Sequence, residues 1–244
     1  MESEVVRRLK KEILEMQGIK PRTYTTVQEV GLGPIMEAFP YGVFPVGIHE
    51  FVSKTTEEAA ATLAFMTALM SKVTKGDKCF LWIGTKKMVF PPGLSFYGVQ
   101  PDQFLFVKTA NSMESVWMLE QALRCDALGL VIGEIPDLEP GQSRRLQLTV
   151  EQSRINCFLH RFQSRINSSN HAVCRWHVKP IPSIIDDGMP GVGFPAWEVT
   201  LDKVRNGIPG SWRMQWIHQH FEFESDRASK QRAITSNPTV LHSA

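Results

Sequence analysis

From Gly47 to His160 the sequence alternates between two hydrophobic periods, and this alternation restricts the possible fold more than any single residue does. Apolar runs of strand length, "GIHEFV", "KCFLWIG", "QFLFVK", "LGLVIG" and "INCFLH", are separated by segments with helical spacing at 56–73, 112–124 and 142–152. Runs that are apolar at nearly every position suit strands buried on both faces, and parallel neighbours of that kind need helical crossovers. The spacing predicts an α/β core: a mostly parallel sheet with helices on both faces. After His160 the texture changes. "AVCRWHVKPI", "AWEVTLDKV" and "SWRMQWI" read as strands separated by the turn-rich "DDGMPGVGFP" and "NGIPG", so a C-terminal antiparallel extension is expected.

With 244 residues, 43% of them hydrophobic, the chain can bury one sizeable core with added elements. The expected division is an N-terminal amphipathic helix and linker (1–41), a core (42–222) and a polar tail without periodicity (223–244). Val5, Leu9, Ile13 and Met16 recur at helical spacing between basic residues, and Ile234, Val240 and Leu241 are apolar anchors within the tail. A formal net charge of +2 leaves any attraction for nucleic acid to local clusters. Four widely spaced cysteines with no CxxC pair exclude a zinc or disulfide framework and suit a reduced, cytoplasmic protein. No segment approaches the roughly 20 apolar residues of a membrane span.

The stretch "GIHEFVSKTTEEAAAT" starts as the strand of a phosphate-binding loop would, yet fails the spacing GxxxxGK[ST]. For Lys54 to be the phosphate lysine, Ile48 and Ser53 would have to be the two glycines. Glu57 and Glu58 then add negative charge where a phosphate would sit. Two unit charges near 4 Å interact by roughly 4 kcal/mol at an effective dielectric of 20, so the site is expected to repel a triphosphate.

The same stretch resembles the strand, loop and helix of the RecA recombinase family. In that register Ser53 takes the place of the first loop glycine, Glu58 the second, Ala59 the lysine and Ala60 the magnesium-binding hydroxyl. The resemblance implies a RecA-like P-loop core whose loop is retained and whose catalytic groups are gone. Lys86 falls at the position of the catalytic glutamate, and Gly133 or Glu134 at the Walker B aspartate. An active ATPase would need Lys54, Lys86 or Lys87 to restore the lost phosphate contact.

A closer resemblance covers roughly Gly42 to Gln219. "GIHE", "VIGEI", "QSRRLQLTVEQ", "CRWHVKPIPS" and "WEVTLDKVRNGIPGSWRMQW", in that order, are similar to the ImuA proteins. Where many members have "RGG-x-PGSW", this chain has Asn206 for one glycine, a residue that tolerates left-handed backbone. The resemblance implies a non-enzymatic adaptor in damage-induced (SOS) translesion DNA synthesis. Its implied partners are an inactive Y-family polymerase homologue, an error-prone C-family polymerase, RecA and single-stranded DNA, with no cofactor. The alternative is a SulA-type cell-division inhibitor.

On a RecA-like sheet edge, Arg144, Arg145, Arg161, Arg165 and Arg175 are the candidate DNA contacts, weighed against ordinary surface charge and internal ion pairs. Trp212 and Trp216 share one strand face and, with Ile234, Val240 and Leu241, are the candidate partner contacts; packing is the competing account of the two tryptophans. Trp82 and Trp117 are expected in the core.

Overall fold

The computed structural model describes residues 30–74, 76, 78–85, 89–164, 171–183 and 192–224. The basic N-terminal helix, Lys86, Lys87, Arg165 and the tail anchors Ile234, Val240 and Leu241 lie outside them.

Every strand read from the sequence forms. In chain order these are β1 (Ile48–Ser53), β2 (Cys79–Gly84), β3 (Phe104–Lys108), β4 (Leu128–Glu134), β5 (Asn156–Phe162), β6 (Cys174–Pro180), β7 (Ala196–Val204) and β8 (Gly210–Ile217). A further short strand, β9 (His220–Phe223), was not anticipated. The helices are α1 (Thr56–Val73), α2 (Ser112–Ala122) and α3 (Pro140–Ser153). All nine strands form one sheet in the order β3-β2-β4-β5-β1-β6-β7-β8-β9. Neighbours from β3 to β6 run parallel, and those from β6 to β9 antiparallel. The expected α/β class with a C-terminal antiparallel extension is thus observed, and β6 is the seam between the two regimes.

Local chemistry starts each helix. The Thr55 and Asn111 side chains accept from the backbone N–H of Glu58 and Glu114, capping α1 and α2, and Glu139 with Gln142 forms a capping box on α3. Arg154 ends α3 in the left-handed region at φ 63°. In the turn joining β7 to β8, Asn206 has φ 59°, so the residue replacing a glycine adopts the conformation the turn requires.

The sheet separates two cores. On one face, α1 and a 3-10 segment (Pro91–Tyr97) cover an aromatic layer in which Phe51 stacks on Trp176 (5.9 Å, 7°) and Phe65 contacts Trp197 and Phe221. Val30, Leu32, Ile35 and Phe39, read from the sequence as part of a linker, are buried in this layer. On the other face, α2 and α3 pack over β2, β4 and β5 through Val116, Leu119, Leu146 and Val150. Beyond β5 this second face carries charged side chains.

Candidate functional site

The junction of β1 and α1 is where a nucleotide would be held, and here it is closed. Only Lys54 and Thr55 separate the last strand residue, Ser53, from the first helical residue, Thr56. The retained loop expected from the sequence is therefore corrected: no loop long enough to wrap a phosphate forms. The cause is local. Thr55 caps the helix at once, and Glu58, three residues on, turns its carboxylate back to accept the Lys54 backbone N–H at 2.7 Å. A helix N-terminus attracts anions through its unpaired N–H groups and dipole. In this chain the anion is the protein's own carboxylate.

Neighbouring groups reinforce that arrangement. His177 Nε2 on β6 lies 3.2 Å from Glu58 Oε2. Partial burial pushes the Glu58 carboxyl up, but the Lys54 N–H, His177 and the Thr55 backbone together hold it below its ordinary value. Ser53, at the first-glycine position, is buried and donates to Thr62 Oγ1 at 2.9 Å, while His160 Nε2 approaches its hydroxyl at 3.1 Å. Burial pushes His160 down to about 4, which keeps it neutral. Ala59, at the lysine position, is buried, and Ala60, at the hydroxyl position, is exposed.

At the end of β4, Glu134, one of the two residues read at the Walker B aspartate, points inward. It is buried and accepts the Trp82 indole N–H at 2.7 Å. Burial pushes its carboxyl up to about 7, against the pull of that hydrogen bond. Gly84 is required beside it, because a Cβ there would come within 2.8 Å of the carboxylate. Glu134 is thus committed to the core tryptophan.

The candidate arginines do not form one surface cluster. Arg161 is 1% exposed. Its guanidinium donates to Glu50 Oε1 at 2.8 Å and to the Pro136 carbonyl at 3.0 Å, and lies 3.6 Å from Asp137. Arg175 donates to the other Glu50 oxygen at 3.0 Å. The reading of Arg161 as a DNA contact is therefore corrected: it neutralises a fully buried glutamate on the neighbouring strand β1. Arg144 and Arg145 are exposed on α3, with Arg145 paired to Glu120 at 2.8 Å.

The tryptophans depart from expectation in opposite directions. Trp216 is buried, donating to the Phe96 carbonyl at 3.2 Å, and Trp212 is partly buried against the same core, so the pair is not an exposed partner surface. Trp82 is in the core as expected. Trp117, expected there too, is 57% exposed because α2 turns Val116 and Leu119 inward instead.

The "GIHE" motif also becomes intelligible. His49 is fully buried, stacked on Phe44 at 4.5 Å; its Nε2–H donates to the Pro45 carbonyl while Nδ1 accepts the Trp176 indole N–H at 3.3 Å. Both ring nitrogens are used by a neutral imidazole, and burial pushes its pKa down to about 4. Glu50, next in the motif, anchors the arginine pair. The motif therefore supplies structural groups on both faces of β1. The signal available in the sequence for the closed junction was Thr55-x-x-Glu58 ahead of an apolar run, the signature of a capping box.

No protein-family model matches the chain. Proteins named "Protein ImuA" from two strains of Caulobacter vibrioides, NA1000 / CB15N and ATCC 19089 / CIP 103742 / CB 15, are each 32% identical to it over 210 residues, covering 80% of this chain and 85% of the relative. Among solved structures, SulA from Pseudomonas aeruginosa matches 48% of this chain and 99% of that chain at 12% identity with a TM-score of 0.41, too slight a likeness to inform function.

Proposed function

The chain belongs to the ImuA family, and from that premise we propose that it is a non-enzymatic adaptor in damage-induced translesion DNA synthesis, joining an inactive Y-family polymerase homologue to an error-prone C-family polymerase. The observation that supports the non-enzymatic part is the β1–α1 junction, where the Glu58 carboxylate already accepts the Lys54 N–H beside the place a phosphate would need. With two junction residues, a buried alanine for the lysine and Glu134 tied to Trp82, the scaffold has exchanged catalytic groups for structural ones. Its work is then binding, and the fold serves to present surfaces.

Co-purification tests this reading. The full chain, expressed with the inactive Y-family homologue encoded by the same organism, is expected to form a complex that persists after exhaustive nucleotide removal and is unchanged by magnesium-ATP. A complex that forms only with nucleotide, or none at all with either polymerase, would refute the adaptor role.

A further inference from the structure

One buried side chain on β8 is left unpaired by the fold. Trp212, Met214 and Trp216 turn toward the aromatic core, so Gln215, which alternates with them, points to the opposite face of the sheet. Its strand neighbours are Ala196 on β7 and Glu222 on β9. Gln215 is only 5% exposed, yet neither the nitrogen nor the oxygen of its carboxamide has a hydrogen-bond partner among the described residues. Buried amides are almost always paired, and one without a partner destabilises the fold that holds it. Gln215 also lines a cleft of about 170 Å³. Ile181 and Pro182, just after β6, give this cleft an apolar wall, which the Ile181 N–H fixes beside the site by donating to the Ala196 carbonyl at 3.1 Å. Arg213, Glu222 and Glu224 line the rest.

The chemistry of the cleft selects its ligand. A carboxamide presents donor and acceptor side by side in one plane, and both are satisfied together by another carboxamide, a main-chain peptide group or the edge of a nucleobase. A cleft of this volume admits one side chain and not a paired strand, which sets the main-chain group aside. Charge sets the nucleobase aside: among the lining residues two carboxylates face one cation, and that cation, Arg213, is held by Glu198 at 3.3 Å. The phosphates of a nucleic acid would meet repulsion there, whereas basic residues would be attracted. We propose that this cleft binds a segment of a partner protein in which a glutamine or asparagine lies between basic residues. The incoming carboxamide pairs with that of Gln215, its stem lies against Ile181 and Pro182, and the flanking lysines or arginines face Glu222 and Glu224. A buried polar floor makes such a site selective, because a ligand without the matching donor and acceptor leaves the Gln215 amide unsatisfied.

The inference rests on the cleft and is independent of which polymerases the adaptor joins. Its test is a nuclear magnetic resonance titration of the full chain labelled with nitrogen-15, following the side-chain NH₂ signal of Gln215, identified by its loss in Gln215→Met. The probes are the peptides acetyl-Lys-Gln-Lys-N-methylamide and acetyl-Lys-Leu-Lys-N-methylamide and a single-stranded oligomer of adenine deoxynucleotides. The glutamine peptide is expected to shift that signal and to bind roughly tenfold more tightly than the leucine peptide, as two matched hydrogen bonds would give. Gln215→Met, followed through backbone signals of β8 and β9, should abolish this preference while melting at or above the wild type, since an unpartnered amide is exchanged for an apolar group of similar shape. Glu224→Lys, at an exposed position, should weaken both peptides and keep the preference. Equal binding of the two peptides, binding of neither, a preference that survives Gln215→Met, a Gln215→Met protein that melts several degrees below the wild type, or a Gln215 signal moved by the oligomer and not by the glutamine peptide would each overturn the proposal.

Discussion

Replacing Arg161 with methionine should destabilise the fold severely, although from sequence this arginine is a candidate DNA contact. Methionine keeps much of the side-chain volume, so what the change removes is charge and hydrogen bonding. Glu50 is fully buried and is held by Arg161 at 2.8 Å and Arg175 at 3.0 Å. Removing one partner of a buried ion pair costs about 3–5 kcal/mol, because the other charge is left without compensation. Arg175 remains in place, so the lower end, about 3 kcal/mol, applies to Arg161→Met. In a chain of this size each kcal/mol shifts the melting temperature by about 2–4 °C, which gives a fall of roughly 6–12 °C. Urea and thermal unfolding followed by far-ultraviolet circular dichroism would measure it. Adding Glu50→Gln to Arg161→Met should recover much of the loss, since the buried charge is then gone from both sides. If Arg161 were instead a phosphate contact, Arg161→Met would melt with the wild type and would flatten the salt dependence of DNA binding. A loss below about 1 kcal/mol would refute the account of the network.

Other outcomes follow from the same geometry. Glu134, raised to about 7 by burial, binds its proton more tightly folded than unfolded, so its contribution to stability is complete below its ordinary pKa and is lost as pH rises toward and through 7; Glu134→Gln should lose that decline in pH-dependent unfolding curves. His49 is the opposite case: lowered to about 4, it must stay neutral in the fold, so stability present above its ordinary pKa is lost as pH falls toward and through 4, and a neutral substitute such as His49→Gln should show less acid sensitivity even if less stable at neutral pH. Glu58→Ala removes the first-turn carboxylate that accepts the Lys54 N–H and should cost about 0.3–1 kcal/mol in urea unfolding, without creating nucleotide binding.

The strands and α1 were legible in the sequence because their apolar runs are strong, and all six residues of β1 are buried, as a strand covered on both faces should be. Strand β9 was not, since four residues with two phenylalanines in a polar stretch give too short an alternation to distinguish from a turn. Arg161 was misread because its partner, Glu50, is 111 residues away in the chain, and only the parallel alignment of β1 with β5 brings them together. Trp117 was misread because hydrophobicity marks a side chain as suited to burial but cannot tell which face of α2 the sheet will take. The closed junction was legible in part. The loss of glycine and lysine was plain, but the helix cap that removes the loop was present as Thr55 and Glu58 and was read only as added negative charge.

The central claim is that the β1–α1 junction is already occupied by the protein's own carboxylate and that the chain works without a nucleotide. Titration calorimetry of the full chain with magnesium-ATP, paired with melting curves at the same ligand concentrations, tests it most directly. A ligand present at 100 times its dissociation constant stabilises the native state by about 2.7 kcal/mol, so real binding would raise the melting temperature by several degrees. The account predicts no saturable heat and no shift. A stoichiometric isotherm with a matching rise in melting temperature would contradict it.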